Sequence, residues 1–324
     1  MAFDGIVLSR VTELLNETIV TGRISKLYQI SKYELLMTVR AQNENKKLLV
    51  SIHPMYARVQ LTQLNYPTPD FPNALTMFLR KHIEGSFIER IEQVGLDRIL
   101  KITLRGRNEF KDLVEYHLYI EIMGKHSNFI LTNKEDKILE CLKRVSPSDS
   151  IRIMQPGITY SYPPLLEKKN PFENRPETTN LVKEFEGFSK DLAEEIASRM
   201  EQGEDFKTIM NEIKESKELY ITRDDKEKYH VIPLHCFGKK IDQYSLFDGL
   251  DAYYQFIDQK DRIKQQTSDI LHFIQKEYTK NVNKLDKLEK TLFDSHNSDE
   301  YRIKGDLLYA SLHLIQKGMK EVTV

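Results

Sequence analysis

Apolar and polar positions alternate most regularly in residues 117–131, HLYIEIMGKHSNFIL. Leu118, Ile120 and Ile122 share one face of an extended chain, and Tyr119, Glu121 and Met123 take the other. The pattern predicts a half-buried strand with a carboxylate on its outer face, then a glycine-led turn and a second strand. The turn, Gly124 to Asn128, carries an ammonium (Lys125), an imidazole (His126), a hydroxyl (Ser127) and a carboxamide (Asn128). Such a tip is suited to phosphates or sugar edges, and equally to an ordinary solvated hairpin turn. Upstream, Val7, Leu8, Val11, Leu14 and Leu15 recur at helical spacing and predict an amphipathic helix. Segments 18–30, 34–40 and 46–53 read as a strand meander, ended by an extended loop at Pro54, Pro67, Pro69 and Pro72. Asn73 is placed to cap a helix that turns Ala74, Met77, Phe78 and Leu79 inward and stops at Gly85. Strands resume from Phe87 to Gly95 and from Arg98 to Leu104, where Leu100, Ile102 and Leu104 share a face.

Downstream of the hairpin, a strand is expected from Ile138 to Val145. The extended PGITYSYPP (156–164) then closes a first domain, with Tyr160 and Tyr162 as core or as stacking platforms. A polar stretch from Glu167 to Asn180 reads as a linker. Leu181, Phe185, Phe188, Leu192 and Ile196 outline two short helices joined through EGFS, a helix-hairpin-helix pattern. Its usual second glycine is Ser189, suited to capping the second helix, with Lys190 beside it. Residues 219–236 read as a β-hairpin turning at Asp224-Asp225-Lys226. Leu271, Ile274, Tyr278, Asn281, Leu285, Leu288 and Leu292 follow a 3-4 repeat, one arm of a coiled coil. A turn is expected at Ser295 to Asp299, with Leu307, Leu308, Leu312 and Ile315 beginning a truncated return segment. The fold class is therefore α+β: a β-rich domain over 1–170, a helix-hairpin-helix-like unit over 171–218, a β-hairpin and connecting helix over 219–260, and a coiled-coil arm over 261–324.

Global charge changes little, since 48 Lys and Arg face 49 Asp and Glu in 324 residues. Local charge matters more. From 97 to 111, Arg98, Lys101, Arg105, Arg107 and Lys111 face only Asp97 and Glu109. Arg98 has the parity of the buried face at a strand entrance. It is either a guanidinium held for a phosphate or base, or half of a strand-end pair with Asp97 that closes the core. Cys141 and Cys236 have no ligand spacing and are expected to be free, buried thiols. No apolar run is long enough to span a membrane, and the N-terminus lacks a secretory pattern, so the expected location is cytoplasmic. No phosphate-binding loop, dinucleotide fingerprint, zinc-protease or nucleophile-elbow motif occurs, and no cofactor or metal is expected.

Five separated segments, MAFDGIVL at the start, GLDRIL (95–100), EIMGKHSNFIL (121–131), PGITYSYPP (156–164) and GDLLYASLHLIQKGMKEV (305–322), together resemble the NFACT family of bacterial RqcH/FbpA proteins and eukaryotic NEMF. The resemblance implies a first domain similar to the N-terminal domain of formamidopyrimidine-DNA glycosylases. Those enzymes use an N-terminal proline followed by a glutamate. Ala2 stands here with no glutamate directly after it, so the secondary amine of their Schiff base is missing and glycosylase activity is not expected. The implied function is ribosome quality control without catalysis: binding the large (50S) ribosomal subunit obstructed by peptidyl-tRNA, and recruiting alanyl-tRNA for C-terminal alanine tailing. The resemblance assigns tRNA engagement to Asp97 and Arg98 and to the adjoining Glu121, Ile122 and Met123. Lys101, Arg105, Lys125, His126, Asn128 and Lys190 are the further candidate RNA contacts. Because some members of the family are labelled fibronectin- or fibrinogen-binding, a surface adhesin is the rival expectation.

Overall fold

The computed structural model describes residues 3–108, 110–148, 152–164, 167–223 and 227–323, without the side chains of residues 265, 266, 269, 296 and 297. The chain forms two compact units, Met1–Ile257 and Asp258–Val324.

In the first unit, helix α1 (Gly5–Ile19) is capped by Asp4 and buries Val7, Leu8, Val11, Leu15 and Ile19. These apolar side chains recur on one helical face, which is what lets a single helix cover a sheet. The meander follows as β1 (Arg23–Ser31), β2 (Glu34–Ala41), β3 (Glu44–Ser51) and β4 (Arg58–Thr62). Residues 18 and 19 end the helix and 20–22 turn, so β1 starts later than the alternation predicts. Strand β4 was masked by its polar residues. Arg58 and Gln60 are fully buried: the Arg58 Nε donates to Gln60 Oε1 at 3.0 Å, and its guanidinium lies 4.1 Å from the centre of the Tyr254 ring. Helix α2 (Ala74–Ile83) has the expected cap, with Thr76 N donating to Asn73 Oδ1 at 2.9 Å. Its buried face is Thr76, Leu79 and Ile83, whereas Ala74 and Met77 are exposed, a rotation of the expected face.

Strands β5 (Phe87–Gln93), β6 (Ile99–Arg107), β7 (Leu113–Glu121), β8 (Asn128–Asn133) and β9 (Ile138–Cys141) complete a nine-stranded antiparallel sheet, ordered β4-β3-β2-β1-β5-β6-β7-β8-β9. The expected outward face of β7 is covered. Leu118, Ile120 and Ile122 join the main core, while Tyr119 enters a second core with Ile99, Ile130, Ile138, Cys141, Met154 and Tyr160. The segment after β9 folds back over the sheet and supplies Met154 and Tyr160, which is why Glu121 is buried instead of solvated.

Helices α3 (Leu181–Glu184), α4 (Lys190–Glu201) and α5 (Phe206–Glu215) follow, then a three-stranded sheet of β10 (Glu218–Thr222), β11 (Lys228–His230) and β12 (Ile241–Ser245). The β10–β11 turn at 224–226 lies outside the described residues. One continuous hydrophobic core joins residues of α1, the large sheet, α4, α5 and the small sheet. Helix α6 (Leu246–Ala310) begins in the first unit at a buried polar anchor, where Asp251 accepts from Gln60 Nε2 at 2.5 Å, Thr62 Oγ1 at 2.7 Å and Gln63 N at 2.9 Å. Burial still outweighs these bonds and raises the Asp251 pKa.

In the second unit α6 runs straight through residues 295–299, so the expected turn is absent. Ser, His, Asn and Asp each cost only a fraction of a kcal/mol in a helix, and no Pro or Gly interrupts the run. The 3-4 stripe of Leu271, Ile274, Tyr278, Leu285, Leu288 and Leu292 is exposed. Cys141 is buried, but Cys236 is exposed, contrary to expectation.

Gly5 shows how tightly the first unit closes: a Cβ there would lie 1.9 Å from the Leu96 carbonyl oxygen and 2.6 Å from Gly187 Cα. Both obstacles are backbone, so Gly5→Ala is expected to destabilise the first unit by about 2–3 kcal/mol. Urea unfolding followed by tyrosine fluorescence checks this; an unchanged midpoint contradicts the packing.

Candidate functional site

Three chain segments converge at the start of α1. The Gly5 and Ile6 amides donate to the Gly187 carbonyl at 3.1 and 3.3 Å, which docks the α3–α4 turn onto α1. Gly187 sits at φ +78°, a conformation that only glycine adopts without strain. Gln93 Nε2 donates to the Gly5 and Asp97 carbonyls at 2.8 and 2.9 Å and so ties the β5–β6 turn to the same helix end. Asp4 completes the junction. Its Oδ1 accepts from Val7 N at 2.9 Å, and its Oδ2 accepts from Ser189 N at 3.1 Å and faces His230 Nε2 at 3.2 Å. Burial alone would raise the Asp4 pKa, but His230 together with the Ser189 and Val7 hydrogen bonds holds it below the usual value.

Beside this junction lies a cleft of about 540 Å³ lined by Asp97, Arg98, Lys168, Glu186, Ser189 and Lys190, among others. Its acids accept backbone amides: Asp97 Oδ1 takes the Arg98 N–H at 2.7 Å, and Glu186 Oε2 takes the Leu96 N–H at 3.2 Å. Its cations are Arg98, Lys168 and Lys190, the last exposed at the first position of α4. Ser189 caps that helix as expected, its Oγ accepting from Leu192 N at 3.3 Å. A helix start beside several cations suits an anionic group.

The segment carrying Glu121, Ile122 and Met123 adjoins Arg98, since Ile99 pairs with Glu121 across β6–β7 and Ile122 N donates to the Arg98 carbonyl at 2.8 Å. None of the three side chains lines the cleft. Ile122 is fully buried in the main core and Met123 packs against the second core. Glu121, 1% exposed, is gripped by the Arg152 guanidinium through both oxygens, with Nη1 to Oε2 at 2.9 Å, and accepts from the Tyr160 hydroxyl at 2.8 Å. Tyr160 stacks on Tyr119 at 3.9 Å; the Tyr119 hydroxyl donates to Asp136 Oδ1 at 2.7 Å, which also meets His117 Nδ1 at 2.6 Å. Tyr162 stands edge-on to both rings and is exposed. Arg152 was not foreseen; the only signal was an isolated arginine between two isoleucines.

The remaining candidates lie elsewhere on the first unit. Lys101 Nζ is 5.4 Å from the centre of the Tyr119 ring, and Arg105 pairs with Glu89 at 2.6 Å. Lys125 and His126 are exposed on a single 3-10 turn. Asn128 is buried, accepting from the Phe129 and Lys143 amides at 2.9 Å and donating to the Lys143 carbonyl at 2.8 Å, so its carboxamide is occupied in holding the hairpin. Lys143 adds a cation there: its Nζ reaches the Lys125 carbonyl at 3.3 Å, and burial followed by the nearby Lys32 lowers its pKa. Among the described residues no group of three or more His, Cys, Asp or Glu is placed to hold a metal ion, and no helix is long and apolar enough to cross a membrane.

A broad antiparallel sheet is docked through a glycine turn onto a helical unit, and the cleft at the joint sets Arg98, Lys168 and Lys190 beside Asp4, Asp97 and Glu186. Residues 4–324 match the family model for NFACT N-terminal and middle domains, and the chain belongs to that family. It is 38% identical over 348 residues to the Rqc2 homolog RqcH of Bacillus subtilis (strain 168), covering 100% of this chain and 61% of that relative. It is 36% identical over 338 residues to the Rqc2 homolog RqcH of Streptococcus pneumoniae serotype 2, covering 99% of this chain and 60% of that relative. The chain thus spans about 60% of the length of these curated relatives. Among solved structures, the N-terminal part of the fibronectin/fibrinogen-binding protein from Streptococcus suis superposes with a TM-score of 0.71 at 35% identity, covering 78% of this chain and 99% of that one.

Glu121→Gln removes the charge from a buried pair and leaves the Arg152 guanidinium uncompensated. It is expected to cost about 3 kcal/mol of stability, read as a lowered unfolding midpoint. A variant as stable as the wild type contradicts the buried pairing.

Proposed function

We propose that this chain is an RNA-binding part of a ribosome quality control factor. In this reading it engages large (50S) ribosomal subunits obstructed by peptidyl-tRNA and recruits alanyl-tRNA, so that stalled chains receive C-terminal alanines while the ribosome carries out peptidyl transfer. The observation that carries the reading is the meeting of Asp97 and Arg98 with Lys168 and Lys190 around one cleft at the start of α4. The names of the RqcH relatives point the same way. Arg98 then supplies the tRNA contact, with Asp97 fixing the backbone that presents it. Glu121, Ile122 and Met123 act from behind: Glu121 orders Arg152 and Tyr160, and Ile122 holds the Arg98 carbonyl. We read the sheet and α1 as the scaffold of formamidopyrimidine-type glycosylases put to RNA use. The exposed 3-4 stripe of α6 is read as one strand of a coiled coil.

A second reading, a fibronectin- or fibrinogen-binding adhesin, is favoured by the name of the similar Streptococcus suis protein. Titrating this chain with tRNA, 50S subunits and fibronectin across a salt series separates the two. Arg98→Ala is expected to weaken tRNA binding about tenfold and to lower the salt slope by about one, with the melting temperature as the control for folding. Unchanged tRNA affinity contradicts the assignment of Arg98, and saturable binding to fibronectin alone favours the adhesin.

A further inference from the structure

A row of side chains in direct cross-strand register runs over the solvent face of the large sheet, well away from the residues that line the cleft. Arg40 of β2 faces Arg23 of β1, Arg23 faces Phe87 of β5, and Phe87 faces Arg105 of β6. Directly opposed residues share a face. The residues next in sequence, Val39, Ile24, Ile88 and Leu104, are buried in the core, so the row points to solvent. Phe87 is 53% exposed and Arg105 has a similar exposure.

One exposed phenylalanine is ordinary on a protein surface. This one is held between two arginines, and a third arginine lies beyond. Like charges directly opposed across strands are unfavourable, yet Arg23 and Arg40 are opposed and make no ion pair within 4 Å among the described residues. Arg23 is also pinned: its Nε donates to the Gly85 carbonyl at 3.0 Å, and no other hydrogen bond engages its guanidinium among the described residues. The Arg23 and Arg40 end opens into a depression of about 520 Å³ that also holds Arg80, itself fixed by donation to the Leu27 carbonyl at 2.9 Å. Three carboxylates adjoin the row. Glu89 pairs with Arg105 at 2.6 Å, Glu84 pairs with Arg80 at 3.7 Å, and Glu44, bonded to Lys46, lies near enough to Arg40 to feel its charge. Exposed ion pairs of this kind are weak, and a phosphate readily takes the place of the carboxylate.

We propose that this face binds a single-stranded segment of RNA, with Phe87 stacking on a base and Arg23, Arg40 and Arg105 taking the flanking phosphates. Arg40 and Arg105 are three strand intervals apart, roughly 14 Å, enough for a few nucleotides. An aromatic platform with cations on both sides is the arrangement by which sheets hold unpaired strands without reading their sequence. The inference rests on the reading of the chain as RNA-binding, but it concerns a surface apart from the cleft, of which only Arg105 was among the candidate contacts.

The test is fluorescence anisotropy of a labelled single-stranded RNA of about 12 nucleotides with the whole chain. The variants are Phe87→Leu and the double substitution Arg23→Gln/Arg40→Gln, and intact tRNA is titrated in parallel. All three positions are exposed, so unchanged melting temperatures are required of both variants. Phe87→Leu keeps apolar bulk but loses the ring, and is expected to weaken the oligonucleotide about tenfold. The double variant is expected to lower the salt slope by about 1.4. If the same variants weaken tRNA, the strand comes from tRNA; if only the oligonucleotide is affected, another unpaired RNA occupies the face. Absence of saturable oligonucleotide binding, or affinity indifferent to either variant, overturns the inference. The cleft reading then still stands provided that tRNA continues to bind.

Discussion

The first unit depends on one buried carboxylate. Asp4 is 4% exposed and joins three segments remote from one another in sequence: the first turn of α1, the start of α4 and strand β11. An unpaired charge at such depth would be costly, and what keeps it ionised is a set of directed donors, two backbone amides and the His230 ring. Because those donors belong to separate elements, the carboxylate fixes their relative position. The glycines at 5 and 187 then allow backbone to meet backbone beneath it. The cleft follows from this geometry, since its two walls are the β5–β6 turn and the α3–α4 turn that the junction brings together.

The same logic of buried polar groups recurs at two other places. Glu121, Arg152 and Tyr160 secure the segment that covers the outer face of β7, and Asp251 with Gln60 and Thr62 secures the start of α6 against β4. In each case a polar side chain on a regular element waits for a partner from a distant stretch. Lone pairs left open there would cost more than the bonds contribute, so these sites select one arrangement of the elements.

That dependence on distant partners explains what the sequence revealed. Helix α1, the meander from β1 to β3 and the β7–β8 hairpin were legible because alternation and helical spacing are local properties. Strand β4 was not, because Arg58 and Gln60 look solvated until Tyr254 and Asp251 are in place. The alternation of β7 identified its two faces correctly but carried no information about the segment that covers the second one. The polar run at 295–299 looked like a turn, yet polarity without glycine or proline does not end a helix. In the cleft, Asp97, Arg98 and Lys190 were each visible as chemistry, whereas their meeting depends on the contact of Gly5 with Gly187. The reversed role of Glu121, from an outward acceptor to the inner partner of Arg152, has the same origin.

If RNA is held at the joint between the β5–β6 turn and the start of α4, photocross-linking of this chain to tRNA followed by peptide mapping should yield adducts in the peptides that contain residues 95–98 and 187–190, competed away by unlabelled tRNA. Efficient cross-linking with none in either peptide would contradict that placement.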